Sequence, residues 1–138
     1  MLTHRLIHPE ILESLAAAGH GSKVLLTDAN YPASTKLGEN ADLVYLNLAP
    51  GKPTVTEVLD ILLTAVRLED AAVMVPDEGP EPPVFQEYRS LMPDLPLTKF
   101  NRFEFYEEAS GPDTCLQIVT GEQRIYANLL LTIGVVMP

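Results

Sequence analysis

The chain is short of the residues that several common classes of protein require. Nine lysine and arginine residues stand against nineteen aspartate and glutamate residues, giving a formal net charge of -10. A nucleic-acid backbone is bound by clustered basic residues, so this composition argues against nucleic acid as a partner. The acidic residues are spread along the chain, and we interpret their charge as a source of solubility.

Cysteine and long apolar runs are equally scarce. The single cysteine, Cys115, cannot form a disulfide within the chain, which fits a reducing compartment. The first residues lack the apolar region of a signal peptide, and no apolar run approaches the ~20 residues that span a membrane. We therefore expect a cytoplasmic protein with no membrane partner. The length of 138 residues suits one domain, 1–138, with a sizeable core.

Sequence motifs for nucleotides, metals or an activated serine are also missing. No glycine fingerprint or P-loop follows a predicted strand. His4 and His8 are four residues apart, but Pro9 places His8 at a helix start, so their spacing does not indicate zinc. Ser14 and Ser22 lie in no nucleophile elbow. We expect no cofactor and no metal, and either acid–base chemistry or simple ligand binding.

Apolar periodicity predicts four helices that alternate with six short strands. Gly19 follows the first helix as the expected left-handed terminator, and the pairs Thr54–Glu57 and Asn101–Glu104 have the spacing of helix caps. This alternation predicts a single three-layer α/β/α domain. The predicted helices cover about residues 9–18, 55–66, 84–92 and 102–109, and the predicted strands cover 23–27, 43–46, 71–75, 97–100, 116–120 and 129–133.

His20 and Asp28 flank the first predicted strand. His20 lies between two glycines, which allow a ligand to approach the backbone closely, although they also serve to end the helix. Imidazole gains and loses a proton near neutral pH. Asp28 stands at the carboxyl end of the strand, where α/β sheets build binding crevices; an Asx turn is the equal alternative. We expect both side chains to lie over one small pocket suited to proton transfer.

Three polar side chains further along the chain are candidates for ligand contact. Arg102 opens a predicted helix, where the dipole disfavours a cation, so it contacts a ligand or subunit, or forms a surface salt bridge. Tyr126 and Asn128 alternate, so an extended segment would point both to the same side. A phenol and a carboxamide on one face can bind sugar hydroxyls, although such pairs also occur at sheet edges.

Several spaced blocks, taken together, resemble the ribose pyranase and fucose mutarotase family, in the same order over nearly the whole chain. The block around Arg102 is similar to the fucose type, whereas ribose-type members tend to carry histidine there. Asn30-Tyr31 departs from the His-Phe that fucose-type members more often show. The matching blocks are His8-Pro9-Glu10, Leu15 through Gly19-His20-Gly21, the run 27–33 (TDANYPA), the run 101–107 (NRFEFYE), Thr120-Gly121-Glu122, Tyr126-Ala127-Asn128 and Gly134-Val135.

The resemblance implies an isomerase that interconverts anomers or ring forms of a free monosaccharide, with L-fucose or a related sugar ahead of ribose. It implies a mixed, largely parallel sheet, His20 as the catalytic proton donor, and Asp28, Arg102, Tyr126 and Asn128 as sugar-binding residues. It also implies a ring-shaped homo-oligomer, often a decamer, with sites near subunit contacts. Ribose pyranase activity, and a non-catalytic sugar-binding or transport-associated protein on the same scaffold, are the alternatives.

Overall fold

The computed structural model describes residues 1–138 and contains four helices and six strands. None of the four helices is both long enough and apolar enough to cross a bilayer. In chain order the elements are α1 Pro9–Ala17, β1 Lys23–Thr27, β2 Asp42–Tyr45, α2 Val55–Leu62, β3 Leu68–Met74, α3 Val84–Leu91, β4 Leu97–Phe100, α4 Arg102–Ala109, β5 Thr114–Val119 and β6 Leu129–Ile133.

All six strands form one sheet in the order β2-β5-β1-β6-β3-β4. The pairs β2–β5, β1–β5 and β3–β4 are parallel, whereas β6 is antiparallel to both of its neighbours, β1 and β3. The predicted mixed, largely parallel sheet is therefore confirmed. This arrangement brings the carboxyl ends of five strands and the first residue of β6 to one edge of the sheet.

Helices cover both faces of the sheet, so the predicted three-layer α/β/α domain is confirmed. Alternate strand residues such as Val24 and Leu26 face the larger core, which the buried sides of α1, α2 and α3 complete. Leu25 points the other way, into a smaller core closed by Phe105 of α4 and by Tyr31 from the loop after β1. Met74, the last residue of β3, belongs to the smaller core, which therefore reaches the edge where the parallel strands end.

Two local predictions were wrong. The left-handed residue after α1 is Gly21, with φ +84°, rather than Gly19, because Ala18 ends the helix in an extended conformation. The second helix ends at Leu62 and does not continue to Val66. Its last turn tightens into i to i-3 hydrogen bonds, in which Thr64 donates to the Ile61 carbonyl from both its amide and its hydroxyl.

Candidate active site

A pocket of about 310 Å³ opens at the edge where the parallel strands end. Asp28 follows β1, and Met74 is the last residue of β3. Arg102 begins α4 directly after β4, and Asn128 immediately precedes β6, whose reversed direction brings its start to this edge. Four of the predicted site residues, Asp28, Arg102, Tyr126 and Asn128, therefore line one pocket. The other lining residues are Asn30, Tyr31, Met74, Tyr106 and Ile125.

Asp28 is the buried charge of the pocket, with 3% of its surface exposed. Its Oδ1 accepts a hydrogen bond from the Asn30 amide at 2.9 Å, which is the Asx-turn contact, and its Oδ2 accepts from Asn128 Nδ2 at 3.1 Å. Burial raises the pKa of Asp28, and the hydrogen bonds from Asn30 and Asn128 only partly offset this effect. The carboxylate of Asp28 thus both closes the Asx turn and lines the pocket.

Tyr126 and Asn128 meet at the pocket for a reason other than the predicted one. The segment before β6 is not extended, since Tyr126 has φ +61°, a left-handed conformation that costs a non-glycine residue about 1–2 kcal/mol. Asn128 is held by a second contact, because its Oδ1 accepts from the Asp28 amide at 2.9 Å. A local turn and a paired side chain, rather than strand alternation, bring the phenol and the carboxamide together.

Arg102 is exposed, yet its side chain has defined neighbours. Its Nε donates to the Tyr106 hydroxyl at 3.1 Å, and its Cζ lies 5.6 Å from the ring centroids of both Phe103 and Tyr106. Such cation–π contacts orient a guanidinium. The two terminal nitrogens have no partner within the chain, so they are free to donate to hydroxyl oxygens of a ligand.

Tyr31 and Tyr106 are pocket residues that the sequence analysis did not single out. Their rings meet edge to face, with centroids 5.4 Å apart. The Tyr31 hydroxyl is buried without a hydrogen-bond partner, and burial, with Tyr106 and Asp28 nearby, raises the pKa of Tyr31. Tyr106 stands four residues after Arg102 on one predicted helix, a spacing that places two side chains side by side and could have identified it.

His20 does not reach this pocket, and the expectation that it shares a pocket with Asp28 in one copy of the chain is wrong. The strand β1 runs between the two residues, and five residues span roughly 16 Å at about 3.3 Å each. His20 therefore lies at the opposite edge of the sheet, exposed, with its Nε2 2.9 Å from Oε2 of Glu69. Glu69 was not identified from the sequence, because the pairing of β3 with β6 brings it there.

The pocket holds carboxylate, guanidinium, phenol and carboxamide groups around a small open space. These groups can accept from and donate to several hydroxyls of one small polar molecule. No three His, Cys, Asp or Glu side chains of the chain lie together in the manner of metal ligands.

Comparison with known proteins identifies the family. Residues 1–136 match the RbsD / FucU transport protein family. The chain belongs to this family. The fucose mutarotase of Homo sapiens is 37% identical over 141 residues, covering 94% of this chain and 90% of the relative. The fucose mutarotase of Mus musculus is 31% identical over 146 residues with the same two coverages. The predicted family and isomerase class are thus confirmed at the level of these relatives.

Solved structures of the RbsD / FucU family share the fold along the whole chain. A fucose mutarotase from Streptococcus pneumoniae, in complex with L-fucose, has a TM-score of 0.84 at 27% identity and covers 99% of this chain and 100% of its own. RbsD of Bacillus subtilis, complexed with D-ribose, has a TM-score of 0.86 with the same coverages, and at 23% identity this likeness concerns the fold. The curated relatives and the fucose mutarotase structure therefore support sugar binding or sugar mutarotation at family level.

Proposed function

We propose that this protein is a monosaccharide mutarotase that interconverts the anomers of a free sugar, L-fucose or a related one. The observation that carries the proposal is the pocket in which Asp28, Arg102, Tyr126 and Asn128 converge. The fucose mutarotases that the chain resembles support the choice of sugar. Arg102 supports the same choice, since it stands where ribose-type sequences tend to carry histidine.

Opening a cyclic sugar requires two proton transfers. The ring oxygen receives a proton as its bond to the anomeric carbon breaks, and the anomeric hydroxyl gives up its proton to form the open-chain aldehyde. The carbonyl then turns about the adjacent carbon–carbon bond, and the ring oxygen attacks its other face with both transfers reversed. No proton is consumed overall. The exchange already proceeds in water, so general acid–base help of roughly 10²–10⁴-fold suffices.

The pocket residues divide between binding and proton transfer. Arg102, Tyr126 and Asn128 hold sugar hydroxyls and fix the anomeric carbon in place. Asp28 accepts the hydrogen bond of the anomeric hydroxyl and then its proton, a task suited to a carboxylate whose pKa is raised by burial. The proton for the ring oxygen comes from His20, because an imidazole both donates and recovers a proton near neutral pH.

We propose that the imidazole over each pocket belongs to a neighbouring copy of the chain. Within one copy β1 separates His20 from Asp28, and Glu69 is the partner of His20. Asp28 therefore does not orient the histidine of its own chain. A site shared between two copies brings His20 over the pocket without any change in the fold.

Both edges of the sheet carry exposed apolar side chains that support such a contact. Phe103 and Ile125, 71% and 67% exposed, stand beside the pocket. The apolar tail 135–137 follows Gly134, which packs against Glu69 beside His20. Contact between two different surfaces of one chain is head-to-tail, and it closes into a ring when the rotation permits. A ring-shaped homo-oligomer, such as a decamer, is therefore part of the proposal.

Exchange spectroscopy between the anomer signals of L-fucose and D-ribose tests the function. We expect faster exchange with the protein than without it, largest for L-fucose or a related sugar. In His20→Ala the acceleration should fall by roughly 10²-fold or more, because the acid is lost. The control His4→Ala removes an exposed histidine at the N-terminus, and its rate should equal that of the wild type.

Other outcomes of the same experiment identify the alternatives. Acceleration for D-ribose alone, between its furanose and pyranose signals, would indicate ribose pyranase activity. Sugar binding without acceleration for any sugar, with the protein folded, would indicate a non-catalytic binding protein. Unchanged exchange in His20→Ala would show that the acid–base role of His20 is wrong. A monomeric mass in light scattering would contradict the shared site.

A further inference from the structure

The segment between β5 and β6 carries two of the proposed sugar-binding residues without being part of a helix or strand. Tyr126 and Asn128 lie in this segment, and Tyr126 is in the left-handed region at φ +61°. A ligand pocket needs these side chains at fixed positions before the sugar arrives. The contacts that hold the segment are therefore part of how the pocket works.

Glu122 is the buried centre of those contacts, with 2% of its surface exposed. Its Oε1 accepts from both the amide and the Nε of Arg124, each at 3.0 Å, and its Oε2 accepts from Arg124 Nη2 at 2.8 Å. The same Oε2 accepts from the Val55 amide at 3.3 Å, at the first turn of α2. Burial acts to raise the pKa of Glu122, but the hydrogen bonds from Arg124 outweigh it and keep the pKa below its ordinary value.

The backbone of Glu122 is joined to the Asp28 side of the pocket. Its carbonyl accepts from the Ala29 amide at 2.9 Å, and its amide donates to the Thr120 hydroxyl at 3.2 Å. That hydroxyl donates to the Thr27 carbonyl at 2.7 Å, at the end of β1. One residue thus connects the two segments that supply Asp28, Tyr126 and Asn128.

Arg124 extends the network to two helices on the other face of the sheet. Its Nη1 is paired with Glu87 of α3, and its Nη2 donates to the Thr56 hydroxyl of α2 at 3.3 Å. Two residues after Arg124 the chain reaches Tyr126. The planar fork of an arginine is suited to such a junction, because several donors are fixed in one plane.

We propose that Glu122, through Arg124, is a positioning residue that sets Tyr126 and Asn128 for sugar binding. Its carboxylate fixes the segment to α2 before the sugar binds. The inference rests on the proposed function, since it concerns the same pocket. Glu122 does not line the pocket, so its loss should weaken binding of the sugar more than it slows the proton transfers at Asp28 and His20.

Steady-state exchange kinetics of Glu122→Gln test the proposal. We expect KM for L-fucose to rise about tenfold while kcat stays within about threefold, the pattern of lost binding rather than lost chemistry. Arg124→Lys keeps the charge but loses the fork, and it should raise KM in the same way, so it serves if Glu122→Gln does not fold. Glu87→Gln removes the charge of the outer ion pair of Arg124 and leaves the contacts with Glu122 in place, so its KM should stay within about twofold of wild type.

A second readout does not depend on activity. The chain has five tyrosines, so ¹⁹F NMR of protein labelled with 3-fluorotyrosine gives a small set of signals, and Tyr126→Phe assigns the one from Tyr126. In Glu122→Gln the Tyr126 signal should shift or broaden, whereas the signal of Tyr45, an exposed residue at the end of β2, should stay in place. Glu87→Gln should leave both signals unchanged.

The two readouts distinguish a failure of the positioning role of Glu122 from a failure of the proposed function. Lower thermal stability in Glu122→Gln and Arg124→Lys with wild-type KM and an unmoved Tyr126 signal would overturn the positioning role. The core variant Ile11→Val, in α1 away from the pocket, shows whether reduced stability alone alters KM. If the wild type accelerates no sugar, the proposed function fails, and the ¹⁹F signal still decides whether Glu122 sets the position of Tyr126.

Discussion

At the scale of single residues, the pocket depends on the buried carboxylate of Asp28. Burial raises the pKa of Asp28, and the hydrogen bonds from Asn30 and Asn128 do not fully compensate. The charged form is therefore held in the pocket at a cost to folding. Groups with raised proton affinity are common where proton transfer takes place, and such sites are often not the most stable arrangement of a fold.

Asp28→Asn should lose most of the catalytic acceleration while keeping the fold. The amide has the same shape, and its oxygen can still accept from the Asn30 amide. Its nitrogen replaces the oxygen that accepts from Asn128 Nδ2, and the amide cannot take a proton from a sugar hydroxyl. We expect the exchange rate of L-fucose anomers to fall by roughly 10²-fold or more. A variant that is folded and retains the wild-type rate would show that Asp28 neither accepts the proton nor binds the anomeric hydroxyl.

The same substitution should change how stability depends on pH. Because folding raises the pKa of Asp28, its stabilising contribution is fully present below its ordinary value of 3.8 and is lost as pH rises through the folded-state value. Asp28→Asn has no such loss. Its free energy of unfolding relative to wild type should therefore increase as pH rises above about 4, as measured by urea unfolding. If this difference in free energy of unfolding stays constant or decreases as pH rises, burial does not dominate the pKa of Asp28.

At the scale of elements, α4 determines where Arg102 stands. Only Phe105 and Ala109 of this helix are buried, so few apolar contacts fix it. Its first turn is instead held by a capping box, in which Asn101 Oδ1 accepts from the Phe103 and Glu104 amides and Glu104 Oε2 accepts from the Asn101 amide. The cap adjoins Arg102, the residue that we propose binds the sugar.

Asn101→Ala should weaken sugar binding as well as stability. Loss of the cap costs about 1 kcal/mol, and fraying of the first turn releases Arg102 from its place over the pocket. We expect a KM for L-fucose a few-fold above wild type, measured by exchange kinetics beside thermal unfolding. The control His8→Ala removes the cap of α1, where His8 Nδ1 accepts from the Ile11 amide, and its KM should not change. If KM stays at the wild-type value in both variants, the α4 cap does not contribute to sugar binding.

Apolar periodicity and helix caps predicted the helices and strands correctly, because both depend on residues that are near one another in the chain. The capping boxes Thr54–Glu57 and Asn101–Glu104 are present as predicted, and all ten helices and strands lie near their predicted ranges. The left-handed glycine was misplaced by two residues, since either glycine beside His20 can adopt positive φ. The turn at Tyr126 could not be predicted, because Glu122, Arg124 and distant helices hold it.

At the scale of the whole molecule, strand pairing decides which residues meet. Asp28, Arg102, Tyr126 and Asn128 were predicted as sugar-binding residues from family resemblance, and the sheet gathers all four at one edge. The separation of His20 from Asp28 follows from the strand predicted between them, so the sequence already contained the reason that one copy cannot bring them together. The partners Glu69 and Glu87 depend on long-range packing, which no local pattern reveals.

The exposed apolar surfaces of the molecule are consistent with an assembly of copies. Apolar side chains are exposed at both edges of the sheet, at Phe103 and Ile125 beside the pocket and at 135–137 beside His20. The shared site joins two different surfaces, so each copy would use its pocket edge with one neighbour and its His20 edge with the next. The catalytic unit is then the interface rather than the single chain.

Subunit complementation tests this central claim most directly. His20→Ala and Asp28→Asn would each be inactive alone, but an interface that joins Asp28 of one variant to His20 of the other carries both wild-type groups. After the two are unfolded, mixed in equal amounts and refolded, about one interface in four should be intact, so anomer exchange of L-fucose should return to about a quarter of the wild-type rate. No recovery in assemblies shown by mass spectrometry to contain both variants would contradict the shared site.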